Sequence, residues 1–121
     1  MSIYLGTFET LKYDEIKQYI IDKYKAEESE LNKYILLIAY ETVLQEDGLF
    51  YFLLKHKDNN RYYEACGFCE DKISFAMQFI PQEIKIEHLK SQTFSLFGNG
   101  KYDPNLMENR EKIVTLISNL K

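Results

Sequence analysis

The sequence has no tryptophan, only two prolines, five glycines and two cysteines in 121 residues. Two thiols are too few for a disulfide scaffold, so stability must come from an apolar core, and the pair suits a reducing compartment. With no Pro- or Ser-rich stretch and no repeat there is no place for a linker, and one domain over residues 1–121 is expected. The longest unbroken apolar run, Tyr34 to Tyr40, falls far short of a membrane span. The start, Met1-Ser2-Ile3-Tyr4-Leu5-Gly6, lacks the basic-then-apolar order of a secretory signal, so a soluble, cytoplasmic protein is expected. Positive charge is also short: 15 Lys and Arg against 19 Asp and Glu give a net charge of −4. That balance argues against direct nucleic-acid binding through phosphates and against an anionic membrane surface. The excess belongs to residues 1–60, with 11 acids and 7 bases, whereas residues 61–121 hold 8 of each.

What the chain does have is bulk: 45% hydrophobic residues, with ten tyrosines and eight phenylalanines. Tyr13, Ile16, Ile20 and Tyr24 keep helical spacing and predict a half-buried helix over 13–26. Ser29 suits an N-cap for a second helix from about Glu30 to Gln45, its face marked by Leu31, Ile35, Ile38 and Thr42. A buried strand is the rival there, since 38–43 also suits a sheet. Phe50, Leu53 and Leu54 predict a short helix over 49–57, and residues 61–66 a further helical turn. Ile73, Ala76, Met77 and Ile80 predict a helix closed by Pro81, while 82–97 fits strand and helix equally. Asp103-Pro104 reads as an N-cap and first helical position before a last helix with Leu106, Ile113, Val114, Ile117 and Leu120 on its stripe. The expected fold is mainly α, a single compact domain of about five to seven helices, with α+β around a small antiparallel sheet as the alternative.

Candidate chemistry is sparse. Cys66-Gly67-Phe68-Cys69 is a C-x-x-C pair, the spacing of redox dithiols and half-sites for zinc. His56 and His88 stand at no spacing that completes a metal site or a nucleophile triad, and Gly98-Asn99-Gly100-Lys101 lacks phosphate-loop spacing. No catalytic residue, metal or cofactor is expected, and two small buried thiols at a turn are the plainer reading. The acids are more suggestive. Glu27, Glu28, Glu30, Glu41, Glu46 and Asp47 face a single base, Lys33, across residues 27–47. Set on a rigid helix, with Tyr51 nearby, they would make an array able to meet a basic protein surface. A solvated helix face is the plain alternative.

The segment Glu41-Thr42-Val43-Leu44-Gln45-Glu46-Asp47-Gly48-Leu49-Phe50-Tyr51-Phe52, then Tyr63-Glu64-Ala65, Gly67 and Phe79-Ile80-Pro81, resembles the DNA mimic protein 19 family of small bacterial α-helical proteins. Here Gly48 stands alone where that family has a glycine pair, and Leu49 and Tyr51 replace its phenylalanine and glutamine. The resemblance implies a helical fold and binding of a DNA-binding regulator through surface carboxylates. The expected function is therefore a non-enzymatic module that presents an acidic, tyrosine-bearing surface to a basic protein. That partner is a DNA-binding regulator or, alternatively, a bacterial toxin neutralised by an immunity protein. A thiol redox or metal protein using Cys66 and Cys69, and a homodimer pairing apolar helix faces, are the remaining alternatives.

Overall fold

The computed structural model describes residues 2–44, 47–69, 79–91 and 104–121. Along the chain these form β1 (Ile3–Gly6), α1 (Tyr13–Tyr24), α2 (Glu28–Leu31), β2 (Tyr34–Leu44) and β3 (Asp47–His56). There follow β4 (Tyr62–Cys69), β5 (Gln82–Ile84), α3 (Ile86–Lys90), α4 (Pro104–Glu108) and α5 (Arg110–Ser118). One sheet runs β1-β2-β3-β4-β5, with β1 parallel to β2 and every other neighbouring pair antiparallel. The mainly helical expectation is corrected: the protein is α+β, and its sheet is a central, mixed, five-stranded layer.

The reason lies in how that sheet is covered. Phe8, Ile16, Ile20, Tyr24 and Leu31, from α1, α2 and the turn before them, pack on Tyr34, Leu36, Ala39, Phe50, Phe52 and Leu54. Leu89, Leu106, Ile113, Leu116 and Ile117, from α3, α4 and α5, pack on Ile3, Leu5, Ile38, Tyr40, Leu49, Tyr51, Leu53 and Tyr62. Central strands clothed on both faces show no alternation of apolar and polar residues, and a short apolar run then reads equally as buried helix or strand. Residues 49–54 are buried without exception, so the spacing of Phe50, Leu53 and Leu54 that suggests a helix is incidental.

In β2 a bulge at Leu37 shifts the register between Leu36 and Ile38, so that the residues facing α1 pass from Tyr34 and Leu36 to Ala39 and Glu41. That slip imitates a helical period, yet Ile35, counted on the expected helix face, is 45% exposed. Of the expected second helix only Glu30 and Leu31 are helical among the described residues, and Ser29 lies within α2 rather than capping it, the N-cap being Glu27. Residues 62–66, expected to be a helical turn, belong to β4. The expected helix over Ile73, Ala76 and Met77 falls outside the described residues, and Phe79 and Ile80 belong to neither helix nor strand. The ambiguous stretch holds both β5 and α3 before passing outside the described residues. Pro104 does open a helix, and Ile113, Leu116 and Ile117 bury one stripe of α5.

Helix α1 ends near its expected boundary, with Lys25 in left-handed geometry at φ 58° closing it. Its first turns meet the end of α2, where Lys17 Nζ donates to Oδ1 of the C-cap residue Asn32 at 2.6 Å. Its last turn lies beside Glu41 on the same strand.

Candidate functional site

Glu41 is the one buried charged residue in the described core, 1% exposed, on the β2 face that meets α1. Its carboxylate takes hydrogen bonds from the Tyr19 hydroxyl at 2.5 Å and from the Tyr24 hydroxyl, and pairs with Lys23 Nζ at 3.2 Å. Lys23 Nζ also donates to the Tyr19 oxygen at 3.1 Å and lies 5.4 Å from that ring's centre. A carboxylate taken out of water is costly unless its lone pairs are met, and here donors from successive turns of α1 meet them. Burial first, and then the bonds to Glu41, push the Tyr19 and Tyr24 phenols above their ordinary range, Tyr24 far above it. Burial pulls the Lys23 ammonium down, but its bond to Tyr19 and the Glu41 charge outweigh this and hold it above its usual value.

The backbone of Glu41 is held as firmly as its side chain. Its carbonyl accepts the Thr7 N–H at 2.9 Å. Gly6, at φ +63°, approaches so closely that a Cβ there would lie 2.0 Å from that same oxygen. Only glycine combines left-handed geometry with such an approach. The parallel β1–β2 junction, α1 and the carboxylate are thus one connected structure.

The expected site residues are therefore divided. Glu41 points inward, and its role as a surface acid is corrected: it is a core group whose bonds are taken by α1. Tyr51 is 1% exposed in the core of the other face, where its hydroxyl donates to Glu64 Oε2 at 2.8 Å, so it is no contact residue either. Burial, with the neighbouring Glu64 charge, raises its phenol well above the usual value. Glu46 lies outside the described residues, and of Asp47 only the backbone, at the start of β3, is described. Glu27, Glu28 and Glu30 remain together on α2. The first two are exposed, and Glu30 is half-exposed and paired with Lys33 at 3.2 Å. Leu31 anchors this short helix in the core, and the Lys57 N–H donates to the Lys33 carbonyl at 2.9 Å just beyond it.

Cys66 and Cys69 both lie in β4 rather than at a helix-to-helix turn, and Cys66 is exposed rather than buried. Positions three apart on an extended strand are roughly 10 Å apart, beyond the roughly 7 Å that a disulfide spans between Cα atoms. Gly67 between them sits under the Phe50 ring, where a Cβ would come within 2.6 Å of it. His56 ends β3, and its Nδ1 accepts the Asp58 N–H at 3.1 Å in the hairpin turn, with Tyr34 and Tyr63 against its ring. Among the described residues no group of His, Cys, Asp and Glu is arranged to hold a metal ion, and no helix is long and apolar enough to cross a membrane.

The sequence reading marks Tyr24 only as an apolar position of the first helix and passes over Tyr19, Lys23 and Gly6. A signal was present: Glu41 is a lone charge ending an otherwise apolar run, and Tyr19, Lys23 and Tyr24 stand four and five residues apart on one helix. Comparison of the chain with protein-family models, with curated proteins and with solved structures finds no match.

Proposed function

We propose that the protein is a non-enzymatic binding module whose α2 segment, with Glu27, Glu28 and Glu30, meets a basic protein surface. One observation carries the reading. The Glu41 carboxylate and the Tyr19 and Tyr24 phenols are occupied with one another inside the fold, whereas Glu27 and Glu28 are exposed and Glu30 is half-exposed on a segment anchored by Leu31. Carboxylates fixed on a rigid support steer encounter with a cationic partner and lose little freedom on contact. A DNA-binding regulator and a basic toxin both offer such a surface, and the negative excess in the first half of the chain suits either.

The test is capture from a lysate of the cell of origin, the native protein being compared with the triple variant Glu27→Lys, Glu28→Lys, Glu30→Lys. The reading predicts that a basic protein recovered with the native chain is lost with the variant, and that native capture weakens as salt rises. Equal recovery on both would refute α2 as the contact.

A further inference from the structure

A narrow crevice opens where α1, the end of α2 and the sheet meet. Ile20, Leu31, Leu36 and Leu54, all buried in the core of that face, form its walls. Tyr34 and Lys17 complete it, and Tyr13, 40% exposed, is the most accessible part of the lining. Its volume of about 10 Å³ is that of one water-sized sphere. Small-molecule sites run to roughly 300–1,000 Å³, so the crevice admits the tip of one side chain and no such ligand. Walls of this kind offer a water few partners, whereas a methyl group there restores the dispersion contacts that the gap forfeits.

Lys17 and Tyr34 have polar partners of their own. Lys17 Nζ donates to Asn32 Oδ1 at 2.6 Å, and burial, followed by the nearby Glu30 charge, pushes the Tyr34 phenol above its ordinary range. The segments that form the crevice carry more acid than base. Residues 12–17 and 27–36 hold Asp14, Glu15, Glu27, Glu28 and Glu30 against Lys12, Lys17 and Lys33, and all of these acids but Glu30 are exposed. Interfaces concentrate their binding in an apolar anchor seated in a pocket, while surrounding charge selects the partner. We propose that the crevice is the anchor pocket of the α2 contact. The basic partner seats one methyl of a valine-sized side chain among Ile20, Leu31, Leu36 and Leu54, and the lysines or arginines flanking that side chain meet Glu27 and Glu28. Leu31 joins the two parts, since it holds α2 to the core and walls the crevice. The inference rests on the α2 reading and adds an apolar requirement to it.

The experiment is an amide-resonance titration of the full chain with three end-capped pentapeptides. One has a valine between two pairs of lysines, the second a serine in the same frame, and the third a valine between two pairs of glutamates. Both lysine peptides should shift Glu27 and Glu28. The valine one alone should also shift Ile20, Leu31 and Leu36, and should bind at least about fivefold tighter than the serine one. The glutamate peptide should shift neither region. Tyr13→Ser, at an exposed position and checked for folding by a thermal melt, should erase the valine preference and leave the α2 shifts. Equal affinity for valine and serine, with shifts confined to α2, would overturn the anchor pocket and spare the α2 contact. Crevice shifts from the glutamate peptide would overturn the charge requirement and the proposal with it. An α2 silent towards both lysine peptides would refute the α2 contact itself, and the pocket would fall with it.

Discussion

The two faces of the sheet handle a buried tyrosine and a nearby glutamate in opposite ways. On the α1 side Glu41 is sealed in the core and met by Tyr19, Tyr24 and Lys23. On the other side Tyr51 is the sealed partner, while Glu64, which accepts its hydroxyl, stays half in water. An acceptor in contact with solvent loses little when a protein donor is removed, because water replaces it; a sealed one loses the full bond. The α1 face is therefore expected to be sensitive to polar substitutions and the opposite face tolerant of them.

The largest effect should come from the backbone beneath that carboxylate. Gly6→Ala requires a left-handed alanine and forces its Cβ onto the Glu41 carbonyl, at an expected cost of about 2–5 kcal/mol in urea unfolding. Next, Glu41→Gln removes the partner of Lys23 and leaves one phenol without an acceptor. The expected loss is about 2–3 kcal/mol, moderated because Lys23 is partly in water. Tyr24→Phe should cost about 1–2 kcal/mol and Tyr51→Phe less than about 1 kcal/mol, a direct ranking of the two faces by denaturant midpoint. Equal losses from those two phenol deletions would break the comparison.

Alkaline pH sharpens it. With the Tyr24 and Tyr19 phenols raised above the ordinary 10.0, the folded chain retains protons that the unfolded chain releases once pH exceeds that value. Stability should be unaffected by these groups below about pH 10 and fall as pH rises beyond it. Lys23, raised above 10.5, acts in the same direction. The urea midpoint should drop between about pH 9 and about pH 11, and drop less in Tyr24→Phe. The smallest effect is expected at α2, where reversing Glu27 or Glu28 singly should change stability by no more than about 0.5 kcal/mol.

How much of this was legible depends on where each segment lies. Helix α1 could be read because one face meets water, which leaves Ile16, Ile20 and Tyr24 as a stripe among polar residues. Strands β2 and β3 could not, because helices cover both sides of Ile38–Tyr40 and Leu49–Leu54 and no polar face survives to reveal the period. The Leu37 bulge then supplied a false helical spacing. Glu41 was legible as an acid but not as a buried one, since its donors come from a helix that sequence alone does not place against it. The α2 acids were legible as exposed because short, charged segments before an apolar run seldom have anywhere else to go.

The most direct measurement sets two charge variants side by side in urea unfolding: Glu41→Gln, and the triple reversal Glu27→Lys, Glu28→Lys, Glu30→Lys. If the carboxylates are divided between an internal lock and an outward display, the single neutralisation loses about 2–3 kcal/mol and the triple reversal less than about 1.5 kcal/mol. A triple variant as unstable as Glu41→Gln, or a Glu41→Gln chain as stable as the native one, would contradict that division.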